Sequence, residues 1–188
     1  MVIGTMSTPP AHAGSLWGPS TPAEPTIVTH PNRDKPAVQG TRVIVVLLFL
    51  ISAALVLVVT VCGWNVLESA WVIQVAYIVV YLTLAFFAAR WNRGVLPVGA
   101  ALAVLLTVFA LVSGPFWFDR NHPGFAATNY LNAGLLGVIT LLLVPVQILL
   151  IAFAMRGFNQ GWNVEVERPA SMVGGARPYA DAPPPYPA

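Results

Sequence analysis

A chain of 188 residues that is 57% hydrophobic and only 9% charged cannot cover a water-facing surface, because soluble domains run near 25% charged. A bilayer is therefore the expected solvent. A net charge of +2 with no basic run excludes the electrostatic footprint of a nucleic-acid binder. The single cysteine, Cys62, excludes an intrachain disulfide and any multi-cysteine metal site.

Residues 1–40 hold seven prolines with scattered Ser, Thr, Gly and Ala, the composition of a disordered tail. The stretch lacks the basic and apolar regions of a signal peptide. A membrane domain is expected over 41–157. Val43–Cys62 has no charge in twenty residues, enough to cross a hydrocarbon core of about 30 Å at 1.5 Å per residue. Trp71–Ala89, Val95–Ser113 and Ala133–Met155 are likewise uncharged. Strands of a membrane barrel would be about ten residues long and alternating. The expected fold class is all-α, a four-transmembrane-helix bundle with disordered cytoplasmic tails.

The orientation follows from Lys and Arg in the connections. Grouping alternate segments puts Arg33, Lys35, Arg42, Arg90, Arg93, Arg156, Arg168 and Arg177 on one side and Arg120 alone on the other. Both termini and the Arg90–Gly94 turn are expected in the cytoplasm, and the 114–132 loop outside the cell membrane. Trp64, Trp71, Trp91 and Trp117 fall at span ends, where aromatic belts sit. Lys35 stands against eight arginines, and the Ala, Val, Gly and Pro content points to a high-GC bacterial genome.

After the last span, residues 158–168 form a juxtamembrane segment in which Trp162, Val164 and Val166 alternate with polar residues, a strand-like period. Residues 169–188 return to proline-rich sequence, expected to be disordered. The ending PPPYPA matches the polyproline pattern that WW domains bind, but in a bacterial chain it reads as low complexity.

No Asp, Glu, Lys, Arg or His lies inside a span, which argues against proton-coupled transport. Polar and small residues form helix stripes instead: Gln74, Tyr77, Tyr81 and Ala88; Gly99, Ala103 and Thr107; Ala133, Gly137, Thr140 and Gln147. Such stripes pack helices, join chains into homo-oligomers, or seat a protein partner. Gln74 and Gln147 are candidate ligand contacts lining a polar cavity. In FWFDRNHPGF, 116–125, Asp119, Arg120 and His122 with Trp117 are candidate ligand or partner contacts. The bland reading is a turn set by Pro123 and Gly124, with Trp117 among aromatics at headgroup level. Catalytic zinc needs three oriented ligands, and the other histidines, His12 and His30, lie across the membrane. No catalytic residue, cofactor or metal is expected. The leading expectation is a non-enzymatic membrane interaction or accessory subunit. The alternative is a small permease, channel-like or lipid-handling protein with a cavity near Gln74 and Gln147.

Overall fold

The computed structural model describes residues 26–169. The tails expected to be disordered fall largely outside these residues, as does the PPPYPA ending. The described chain is mostly helical. Its four helices are α1 (Pro36–Cys62), α2 (Ala70–Ala89), α3 (Val95–Asp119) and α4 (Ala133–Asn159), each long and apolar enough to cross a membrane. Two short strands, β1 (Thr26–Thr29) and β2 (Val166–Pro169), pair as a two-stranded sheet. Strand β1 and residues 167–169 of β2 fall in one compact unit, and the helices, within His30–Val166, in the other.

Helix boundaries follow local chemistry. Pro36 opens α1 after an extended Lys35, the position where proline's missing N–H costs nothing. The helix thus begins seven residues before the uncharged run. The sequence reading ends the third span at Ser113, before Pro115, yet α3 runs through Pro115 to Asp119. Proline there frees only one carbonyl, that of Leu111. The extra turn buries Trp117 against Val59, Cys62, Ala133 and Leu136. Trp117 is thus 6% exposed, a packed residue rather than an exposed anchor. Asn132 caps α4, its Oδ1 accepting the Leu135 N–H at 2.7 Å. α4 continues to Asn159, so only the end of the strand-like 158–168 segment is strand.

The end of α2 departs from the usual residue preference. Trp91 N–H donates to the Ala88 carbonyl and Asn92 N–H to the Phe87 carbonyl, the double bond pattern that closes a helix on a left-handed residue, usually glycine. Trp91 holds that place with φ of 65°. The strained backbone sets its indole beneath Arg42, 4.2 Å from the ring centroid, and edge-on to the buried Trp162 at 5.8 Å. Arg42 also donates to the Ala89 carbonyl at 3.0 Å, placing a cation on the negative end of α2. Arg93 lies over the Phe158 ring at 4.2 Å. Its buried Nε has no hydrogen-bond partner among the described residues, so the ring face supplies much of what water would otherwise give. At this basic end the chain after α4 folds back, with Gln160 Nε2 donating to Thr41 Oγ1 at 3.0 Å and Asn32 Nδ2 to the Gly161 carbonyl at 3.0 Å.

The helices form a ring in the order α2, α1, α4, α3, and the ring is not fully closed. α3 packs most closely on α4, α1 joins α2 to α4, and α2 and α3 barely touch. Glycines explain the tight contacts. A Cβ at Gly99 would stand 2.4 Å from the Phe49 ring, one at Gly114 2.5 Å from Leu141 Cδ2, and one at Gly137 3.1 Å from the Phe118 ring. Close approach at small residues is the contact expected of helices apolar enough to cross a membrane. These glycines are therefore covered within the chain.

Candidate functional site

Two glutamines in similar apolar surroundings end in different states. Gln147 is fully buried. Its Nε2 donates to Ser52 Oγ at 2.8 Å, and its Oε1 accepts from Tyr81 OH at 3.0 Å. Ser52 in turn donates to the Leu48 carbonyl at 2.7 Å. The network clasps α1, α2 and α4 together and makes use of both ends of the amide.

Gln74 lies on α2 one turn from the end of the bundle that carries the 63–69 and 120–132 connections. Thr60 Oγ1 is 2.7 Å from both Gln74 Oε1 and the Val56 carbonyl. One hydroxyl proton serves one acceptor. The Val56 carbonyl keeps a second lone pair beside its helical N–H, so both acceptors compete for the proton, and it is the Gln74 oxygen rather than its nitrogen that faces Thr60. The Gln74 amide nitrogen keeps its donors and faces a cleft.

That cleft, about 360 Å³, lies between α2 and α3 and is floored by Val56 and Leu143. It exists because the Arg90–Gly94 turn ties the two helices at the basic end, while no small-residue pair draws them together at the other. Its α2 wall includes Ile73, Gln74 and Tyr77, and its α3 wall runs from Leu106 to Arg120. Tyr77 and Phe109 meet edge-to-face at 6.3 Å across it. Ile73, Phe109 and Phe116 are exposed at its lips, so it opens sideways, between the helices.

Arg120 is the cation of this cleft. It follows the last turn of α3, is half-buried, and lines the mouth. Its guanidinium makes no hydrogen bond or ion pair among the described residues. The two carboxylates at this end, Glu68 and Asp119, are exposed and do not line the cleft.

Of the candidate contacts read from the sequence, the structure gathers Gln74, Trp117 and Arg120 on the cleft. Asp119, His122 and Gln147 are elsewhere. His122 Nδ1 meets the Asp119 backbone carbonyl at 3.1 Å rather than its carboxylate, closing the end of α3. His122 belongs to the 120–133 loop, which encloses a second, more polar hollow and is tied to α1 by Asn129 N–H donating to the Cys62 carbonyl at 2.9 Å. Among the described residues no group of three His, Cys, Asp or Glu side chains is placed to hold a metal ion. Sequence reasoning missed Tyr77 and Phe109 as cleft residues. The sequence carries a weak signal for Tyr77, which shares the Gln74 stripe.

No protein family, curated protein or solved structure matches the chain.

Proposed function

We propose that the chain is a non-enzymatic, multi-pass protein of a bacterial cell membrane that takes up a lipid-like ligand sideways into the cleft between α2 and α3. The observation that carries this reading is the open α2–α3 contact with the half-used Gln74 amide inside it. A volume of about 360 Å³ falls within the range of small-molecule sites, roughly 300–1,000 Å³. Mostly apolar walls with a few convergent polar groups are the usual composition of such sites. A lateral opening suits a ligand that arrives through the hydrocarbon rather than through water.

The eight-to-one distribution of basic residues supports an orientation with both termini and the Arg90–Gly94 turn in the cytoplasm. The cleft then faces the outer half of the bilayer. Single cysteines at Ser20, Asn121 and Ala180, probed in intact cells with an impermeant reagent after Cys62→Ala, test this. Labelling at 121 alone is expected; labelling at 20 or 180 but not 121 would invert the assignment.

A second reading, the accessory subunit, draws support from α2, which is the least buried of the four helices. The cleft would then seat a partner's transmembrane helix. Purification in mild detergent, with bound lipid quantified by mass spectrometry, separates the two. The ligand reading expects stoichiometric lipid that is lost in Ile73→Trp, whose indole would fill the mouth. Equal lipid in both proteins would count against it.

A further inference from the structure

We propose that the occupant of the cleft is an anionic glycerophospholipid, its phosphate on Arg120, an ester carbonyl on Gln74 and one acyl chain along Tyr77, Phe109 and Leu106. The proposal rests on the ligand-binding reading above and adds the chemical class.

The first argument is depth. The α3 wall extends from Arg120 to Leu106, fourteen residues or roughly 20 Å at 1.5 Å per residue. One leaflet of a hydrocarbon core of about 30 Å is about 15 Å deep. The cleft is therefore as deep as a single leaflet with part of its interface, and it ends at Leu143 and Val56 rather than passing through the bundle. A pore or a membrane-crossing groove would need about twice that depth.

The second argument is the order of polar groups along that depth. Arg120 stands at the interfacial end, unpaired among the described residues. The guanidinium fork matches phosphate oxygens bidentately. Gln74 sits one turn, about 6 Å, inside the same end of α2. In a glycerophospholipid the ester carbonyls lie just below the phosphate, and they accept hydrogen bonds but donate none. The Gln74 amide N–H faces the cleft and donates. Below Gln74 the lining is apolar apart from the Tyr77, Ser113 and Thr140 hydroxyls, and Ser113 and Thr140 already donate to the Phe109 and Leu136 carbonyls at 2.7 and 2.8 Å. A cation, then a donor, then an apolar slot is the complement of phosphate, ester and acyl chain in that order.

The third argument is the charge contrast with the other end. There four arginines are engaged, Arg42 by a helix terminus and Trp91, Arg33 by Asn163 and Trp91, Arg90 by Phe86 and Arg93 by Phe158, while Arg156 is exposed. Arg120 has no such partner, and an unpaired interfacial arginine attracts an anionic headgroup.

The test uses the full chain in phosphatidylcholine nanodiscs containing a minor fraction of phosphatidylglycerol or phosphatidylcholine with a diazirine on the acyl chain. Crosslinks mapped on α3 are expressed as labelling of cleft residues such as Phe109 relative to Val104 and Val108, which are exposed and outside the cleft. Phosphatidylglycerol is expected to exceed phosphatidylcholine at the cleft by about five- to tenfold. Arg120→Gln should bring that preference near one, and Arg120→Lys should keep most of it. Ile73→Trp should remove cleft labelling by both lipids. Melting temperatures of all variants establish that each is folded. Equal labelling by the two lipids in the wild type, or a preference indifferent to Arg120→Gln, would overturn the anionic assignment and leave the cleft as a lipid site. Cleft labelling no higher than at Val104 and Val108 for either lipid would overturn the ligand-binding reading itself.

Discussion

The contact between α3 and α4 and the gap between α2 and α3 share one wall, helix α3, and differ in what opposes it. Toward α4, Gly114 receives Leu141, and Gly137 on α4 receives Trp117 and Phe118, so each bulky side chain meets a residue without a side chain. Toward α2, Phe109 meets Tyr77, and two rings hold the backbones apart. The same helix therefore makes a dry contact on one side and a cleft on the other. Cohesion in an apolar solvent comes from shape matching and not from hydrophobicity, so apolar residues on both sides of a contact do not close it. An unclosed contact of this kind is what the proposed ligand reading rests on.

The largest perturbation of this contrast is Trp117→Ala. Trp117 is 6% exposed and fills the space over Gly63, where a Cβ would come within 2.7 Å of its ring. Its removal leaves a cavity at the junction of α1, α3 and α4, and the expected loss is about 3 kcal/mol, read by reversible unfolding in mixed detergent micelles. A loss below about 1 kcal/mol, the range of surface changes, would mean that Trp117 acts as an interfacial anchor after all. Next in size, Gly114→Val should cost about 2 kcal/mol by overpacking, because its Cβ would stand 2.8 Å from Leu141 Cγ as well as 2.5 Å from Cδ2. Leu141→Ala in the same chain should recover part of that loss. Failure of the pair to couple would show that α3 and α4 are not held by this contact.

The four helices were legible because uncharged runs of span length stand out in the sequence, and each lies within a helix long and apolar enough to cross a membrane. Their ends were less so. The sequence reading ends the third span at Ser113, and the buried Trp117 explains why α3 passes that point and Pro115. Trp91 hides a left-handed helix stop because the usual sign for one is glycine. The helix order α2, α1, α4, α3 has no sequence signature, since each helix is apolar all round. For that reason the sequence could nominate both Gln74 and Gln147 but could not tell the clasp from the cleft. Asp119 and His122, close in sequence and chemically suggestive, point to different tasks once the turn places His122 on a backbone carbonyl.

The smallest effects should come from the two glutamines, and they sharpen the contrast most. Gln147→Leu removes the acceptor of the buried Tyr81 hydroxyl. The orphaned donor should cost about 1–2 kcal/mol, within the range for buried unsatisfied groups and for hydrogen bonds between membrane helices. Ser52 keeps its bond to the Leu48 carbonyl, so Tyr81 carries most of the penalty. Adding Tyr81→Phe should therefore return most of the lost stability, because removing both partners of a buried pair is nearly neutral. Gln74→Leu differs because no orphan is created. Thr60 turns its proton to the Val56 carbonyl 2.7 Å away, and the amide end that is lost has no partner among the described residues. The expected change in stability is within about 0.6 kcal/mol, while bound lipid falls. A pair of unfolding curves for the two Leu variants, with bound lipid measured on the same preparations, decides the matter. If Gln74→Leu costs as much stability as Gln147→Leu and leaves lipid retention untouched, Gln74 is a second clasp and the α2–α3 gap is not a binding site.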